Sequence, residues 1–236
     1  MLPFLLLLIA PPLRADEQPR RSITIAAAHG PVLVEMPGEK TTMSRPAVIV
    51  LSGSKGFGSR AYDEMGRKFT AAGLDVFLVH FLSLGDLQAL ESAGNAASRK
   101  RYSAAQMPRW IASIRAVMAH LRTARVGLLG ISLGATVAAA SAQSDRSPAA
   151  LVLVDGGTIP ASIRIPPLLL VWGNEDRVFP PATAHAIKHA AEARGGTAQL
   201  DLHAGAAHDF FIRPGLEQAA SAQAAAAQFL ASQLAR

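Results

Sequence analysis

The chain has 236 residues, half of them hydrophobic and 17% charged, with a formal net charge of +6 and no cysteine. That length suits one α/β domain with a large core and is short for two, and the missing cysteine excludes disulfides, thiolate chemistry and a lipid-modified cysteine anchor in this chain. The positive charge is scattered. Its one basic triplet, Arg99-Lys100-Arg101, lacks interleaved aromatics or a nucleic-acid motif, so it reads as a solvated loop or as a means of drawing anionic substrates toward a pocket, and no nucleic-acid partner is expected.

The first ten residues, Met1 to Ala10, form an apolar run of signal-peptide length, too short to span a bilayer comfortably. The expectation is export to the periplasm or medium with cleavage after Ala15, although Leu13 is larger than the usual small residue three positions from the cut. An uncleaved anchor is the competing reading. The expected layout is therefore a signal peptide over 1–15 and a single α/β domain over 16–236, with no stable membrane insertion after cleavage.

Apolar runs bounded by breakers predict strands near Ser22 to Ala27, Val32 to Met36, Ala47 to Leu51, Leu74 to His80, Arg125 to Ile131, Ala150 to Asp155, Leu168 to Gly173 and Ala198 to His203. Helical spacing falls at Tyr62 to Ala72, Met107 to Arg122, Leu133 to Gln143, Pro181 to Ala193 and the alanine-rich Leu216 to Leu234. The first two strands, joined near His29-Gly30-Pro31, suggest an antiparallel edge. From about Pro46 strands and helices alternate, and the middle strands are continuously apolar, as a parallel sheet covered on both faces requires. The fold class expected is α/β, a mostly parallel central sheet with helices on both faces. Ser83 to Ala105 shows no clear periodicity and reads as a loop, either a lid or pocket wall or a surface excursion.

Gly130-Ile131-Ser132-Leu133-Gly134 lies between the apolar run Arg125 to Leu129 and the helical stretch from Ala135. A G-x-S-x-G motif is weak alone, but strand before and helix after are the context of a nucleophile elbow, in which the serine takes a strained backbone and raises its hydroxyl above the sheet. A serine needs a base, and the base needs a carboxylate to fix its tautomer.

The next suitable acids, Glu175 and Asp176, follow the strand Leu168 to Gly173, and catalytic groups gather at the carboxyl ends of such strands. Asp176 is preferred because a short side chain at a loop turn suits orienting an imidazole; taken alone it could equally be a helix cap or a loop ion pair. After the last strand, Ala204-Gly205-Ala206-Ala207-His208 offers a histidine in a small-residue loop, and His203 at the strand's own end is the rival. Oxyanion donors are expected from the amide of Leu133 and from Ser54 or Lys55, in the loop Ser52-Gly53-Ser54-Lys55-Gly56-Phe57-Gly58. That loop could instead cradle phosphate, but it lacks the phosphate-loop and dinucleotide patterns.

These residues together resemble the dienelactone hydrolase family of the α/β-hydrolase superfamily. Five blocks carry the likeness in order, at 48–58, 71–81, 125–134, 172–180 and 207–210, so it covers most of the chain from about Val32 to Leu234. The resemblance implies a Ser132, Asp176, His208 triad acting through an acyl-enzyme, without metal or organic cofactor.

Two departures stand out. Members that open dienelactone look to use a cysteine nucleophile, where this chain has Ser132. They also look to place an arginine four residues after the histidine, where Ile212 stands here and Arg213 follows. The expected function is thus hydrolysis of a small carboxylic ester or lactone, with His80, Tyr102, Arg109 and the 83–105 segment bordering the pocket. A peptidase or amidase of the same fold, or a non-catalytic binding protein that kept it, are the alternatives.

Overall fold

The computed structural model describes residues 20–37, 44–121, 125–142, 147–158 and 165–235. The expected signal segment lies outside the described residues, within which no helix is long and apolar enough to cross a membrane.

One eight-stranded sheet organises them: β1 (Arg21–Ile25), β2 (Val32–Met36), β3 (Ala47–Leu51), β4 (Asp75–Val79), β5 (Val126–Ile131), β6 (Ala150–Val154), β7 (Leu168–Gly173) and β8 (Ala198–His203). Their order across the sheet is β1-β2-β4-β3-β5-β6-β7-β8. As expected, β1 and β2 form an antiparallel edge hairpin, and β2 also meets β4 antiparallel. From β4 to β8 every pairing is parallel.

All these carboxyl ends therefore open on one rim. The rim is where side chains from distant parts of the chain can converge.

Among the described residues six α-helices, α1 (Ala61–Ala71), α2 (Leu84–Ser92), α3 (Ala96–His120), α4 (Leu133–Ser141), α5 (Pro181–Glu192) and α6 (Glu217–Leu234), cover the two faces. The residues of β3, β4, β6 and β7 are buried throughout, which is why these strands, apart from the buried Asp75 that opens β4, read as apolar runs and not as alternating ones. Ile49 and Leu51 point to one face with Trp110, Ile114 and Val117 of α3, Ala135 and Ala138 of α4, and Ile187 of α5. Val48 and Val50 point to the other with Tyr62, Met65 and Phe69 of α1 and Ala222, Ala226 and Leu230 of α6. Each large apolar side chain buried this way contributes about 1.5–3 kcal/mol.

Two expectations are corrected. The 83–105 segment is not a loop: it holds α2 and the first turns of α3, so the helix expected from Met107 begins at Ala96 and runs through Pro108. Ser83 caps α2 by accepting from the Asp86 amide at 3.1 Å while the Asp86 carboxylate accepts from the Ser83 amide at 2.7 Å, a reciprocal capping box. Asn95 caps α3 by accepting from the Ser98 amide at 2.9 Å. The basic triplet is an exposed face of α3 and not a loop.

Candidate active site

Ser132 is the single residue between β5 and α4, and its backbone sits at φ 54, ψ −113, a region few L-residues adopt. The turn is this sharp because its flanks allow no side chain. A Cβ on Gly130 would lie 2.2 Å from the Gly134 carbonyl oxygen, and one on Gly134 would lie 2.3 Å from that of Leu51. The Ser132 amide donates to the Val154 carbonyl at 2.8 Å, locking the turn to the neighbouring strand. Leu133 opens α4, so its N–H has no partner within the helix and projects from the end that carries the positive dipole.

Ser132 Oγ and His208 Nε2 are 3.0 Å apart. On the other side of the ring, His208 Nδ1 and Asp176 Oδ2 are 2.8 Å apart. The remaining oxygen of Asp176 accepts from the amides of Val178 at 2.7 Å and Phe179 at 2.9 Å, which fixes the carboxylate in its loop.

Asp176 is 3% exposed, whereas its rival Glu175 faces solvent. His203, the rival histidine, ends β8 beside Asp201 and packs against Phe210 at 4.9 Å. The structure thus brings together Ser132, His208 and Asp176 and leaves Glu175 and His203 outside that chain of contacts.

The loops holding the acid and the histidine brace each other. The Asn174 side chain accepts from the Gly205 amide at 2.7 Å, and the Glu175 amide donates to the Ala206 carbonyl at 2.9 Å. Phe179, whose carbonyl accepts from the Trp172 indole at 2.8 Å, stacks on the His208 ring at 5.9 Å. Behind the histidine, buried Gln223 of α6 donates to the Phe211 carbonyl at 2.7 Å. Such supports matter because a misplacement of about 1 Å can cost about a hundredfold in rate.

Ser54 and Lys55 fall at the centre of a turn closed by the Gly56 amide on the Gly53 carbonyl at 3.1 Å. Gly53 lies against the elbow: a Cβ built on it would be 3.7 Å from the Ser132 Cβ. Ser54 is the next residue along the chain, and the Lys55 side chain is 88% exposed with Nζ 4.0 Å from Asp209. The far end of the loop is held by Arg20, which donates to the Phe57 carbonyl at 3.2 Å and binds Asp63 and Glu35.

The three residues expected to border the pocket each bond a carboxylate. Tyr102 and Arg109 bind Asp86, and His80 bonds Glu35 with its ring 5.0 Å from Phe57.

Two carboxylates not anticipated from the sequence flank the imidazole. Asp209, in the left-handed region at φ 66, has Oδ1 3.5 Å from His208 Nε2 and is partly exposed. Asp155, directly after β6, is fully buried at φ 45, and burial followed by the Asp176 charge pushes its carboxyl up to about 7, against the pull of the Gly173 amide and His208. The visible signal was an acid ending an apolar strand before Gly156-Gly157, the same pattern that singled out Asp176. Donor atoms of Asp155, Asp176 and His208 lie within 4.8 Å of one another, a set that could hold a cation in principle. Two of the three groups, however, are already joined to each other by the 2.8 Å contact.

Comparison with known proteins agrees with this architecture. Residues 33–234 match the model of the dienelactone hydrolase family. Among curated proteins no sequence match is found. The fold is similar to the Pyrobaculum calidifontis esterase at 17% identity and a TM-score of 0.69, over 90% of this chain and 84% of that one. It is similar to dienelactone hydrolase from Anabaena variabilis at 16% identity and a TM-score of 0.67, over 91% and 98% of the two chains. It is also similar to a dienelactone hydrolase-like promiscuous phosphotriesterase from metagenomic libraries, at 21% identity and a TM-score of 0.69, over 91% and 98%. The chain belongs to the dienelactone hydrolase family and is a carboxylic ester hydrolase of the α/β-hydrolase fold.

Proposed function

We propose that the protein is a serine hydrolase that cleaves small carboxylic esters or lactones through an acyl-enzyme, with Ser132, His208 and Asp176 as its triad. The observation that carries this reading is the unbroken chain from Ser132 Oγ through both nitrogens of His208 to the buried Asp176, at 3.0 and 2.8 Å. Ser132 attacks the acyl carbon while its proton passes to His208 Nε2, and Asp176 stabilises the imidazolium from the Nδ1 side. The oxyanion is received by the Leu133 amide and by Ser54 or Lys55, an interaction worth about 10²–10³ in kcat per donor. His208 then returns the proton to the leaving alkoxide, and a water deprotonated by the same imidazole hydrolyses the acyl-enzyme.

Dienelactone itself is not the substrate we favour. The nucleophile is an oxygen and not a sulfur, Ile212 stands four residues after His208, and Arg213 is exposed.

Replacing Ser132 with Ala is expected to abolish turnover of short p-nitrophenyl esters and small lactones while leaving the melting temperature unchanged. Turnover retained in that variant would contradict the assignment. Cleavage of aminoacyl amides without any ester would reassign the site to a peptidase, and a folded wild type inert to both would leave the non-catalytic binding reading.

We also propose, from the apolar run Met1 to Ala10 alone, that the chain is exported. Expression with its own N-terminus in a bacterial host should yield periplasmic protein beginning at Asp16. Intact Met1 in the cytosolic fraction would contradict this.

A further inference from the structure

Asp155 is costly where it stands. Its backbone occupies the left-handed region, unfavourable for a residue with a Cβ, and its side chain is wholly buried. Oδ1 accepts one hydrogen bond, from the Gly173 amide at 2.9 Å, while Oδ2 has no hydrogen-bond partner among the described residues. A buried carboxylate with an idle oxygen is disfavoured by desolvation, and one beside a second carboxylate by repulsion as well. An asparagine would keep the Gly173 contact without that charge, so the Gly173 contact alone does not explain an acid here.

Position supplies the missing reason. In the sheet β6 lies between β5, which ends in Ser132, and β7, which leads into Asp176. Residues just past the end of β6 therefore face both. A Cβ on Gly156 would be 2.5 Å from the Ser132 carbonyl oxygen, so the segment holding Asp155 is packed against the elbow itself. The carboxylate also falls within 4.8 Å of both the Asp176 and His208 donor atoms. The titratable groups facing it are Asp176, His208 and Asp209.

We propose that Asp155 is a second acid of the His208 relay: it supports the imidazolium beside Asp176 and orients the imidazole in its place when Asp176 is removed. This rests on the triad reading above. Asp155 is a positioning residue here, since it acts on substrate only through His208, and its unpaired Oδ2 is the atom that would accept from Nδ1.

The test is a double-variant cycle on the full-length enzyme, with short-ester kcat/KM and melting temperature measured for wild type, Asp155→Asn, Asp176→Ala and the pair. Asp155→Asn should cost about threefold with Asp176 present and about 30-fold in the Asp176→Ala background, a coupling within the range seen for groups in one network. The acidic limb of the pH profile should also move to lower pH when Asp155 is removed from Asp176→Ala, because the imidazolium then keeps only Asp209, on its Nε2 side at 3.5 Å, as a close carboxylate. Equal costs in both backgrounds, an unmoved limb, or no measurable activity in Asp176→Ala would overturn the proposal.

If Asp176→Ala does not fold, Asp176→Asn keeps an acceptor for the Val178 and Phe179 amides and the same cycle is read there. Ser132→Ala is run alongside. If it keeps turnover the triad reading fails, whereas turnover lost in Ser132→Ala together with equal costs of Asp155→Asn sinks only the second acid.

Discussion

Two buried aspartates show how differently one residue type can be used in this fold. Asp86, under the α2–α3 hairpin, has its side chain 1% exposed and is surrounded by donors: the Ser83 amide and hydroxyl at 2.7 Å, the Tyr102 hydroxyl at 2.8 Å and the Arg109 guanidinium at 2.6 and 2.7 Å. Burial alone would raise its proton affinity, but these bonds outweigh burial and hold the carboxyl down at about 2. Asp155, at the end of β6, receives one amide and faces another carboxylate, and it is pushed up to about 7. A carboxylate that ties two helices together is fully satisfied, while the one beside the relay is left wanting. Backbone strain gathers at the rim, where Ser132, Asp155 and Asp209 take positive φ, and satisfied ionic bonding sits under the hairpin.

The sharpest break between the two regions is expected in activity. Asp176→Asn should lower kcat by up to about 10⁴-fold, equivalent to about 5.5 kcal/mol of barrier, the full loss applying only where Asp155 does not hold the imidazole in its correct tautomer. Chemical denaturation of the same variant should show little change in stability. A loss of fold in place of a loss of rate would put Asp176 with Asp86 as a structural acid.

Next in size is a pH effect of opposite sign at the two aspartates. Asp155 holds its proton in the folded state up to about 7, whereas in the unfolded chain it loses it near 4. The native state thus binds the extra proton between those values, so stability falls as pH rises through that window. Asp155→Asn should therefore stabilise the protein at pH 8, by up to about 4 kcal/mol, and do little at pH 4. For Asp86 the folded value is depressed, so its contribution is present above about pH 4 and is lost as pH falls toward 2. Urea titrations at pH 4 and pH 8 separate the cases, and an Asp155→Asn variant no more stable at pH 8 than at pH 4 would contradict the contrast.

Asp86→Ala should cost about 3 kcal/mol of stability, because it strips the partner from a partly buried guanidinium, and should leave kcat per folded molecule within about twofold. A matched collapse of kcat would place the hairpin in the chemistry. The smallest effect expected is from Tyr102→Phe, which removes one charge-assisted hydrogen bond from Asp86 and should cost about 1 kcal/mol at neutral pH.

Much of the site was legible because each of its parts sits where a strand ends. Ser132, Asp176 and His208 each follow a strand, and Ser132 and His208 stand among small residues, so chain order and strand position sufficed to single them out. Choosing Asp176 over Glu175 and His208 over His203 rested on side-chain length and flanking glycine, and burial and contacts agree with both choices.

The hairpin was not legible by periodicity. The first half of α3 carries Arg99, Lys100 and Arg101 on exposed positions and has no apolar stripe, and Pro108 looks like a helix start when it is in fact an interior residue. The capping residues Ser83 with Asp86, and Asn95, were the available signal. The apolar pattern makes Asp155 the last residue of its strand, because nothing in a strand pattern announces that the backbone turns to positive φ one residue early.

The most direct measurement of the central claim is labelling of the purified protein with a fluorophosphonate, with the adduct mapped by mass spectrometry. An adduct on Ser132 in the native protein, absent after heat denaturation and strongly slowed in His208→Ala, is the result expected of a serine activated through the relay. No adduct on Ser132 in the folded protein, or labelling that proceeds at the same rate without His208, would contradict it.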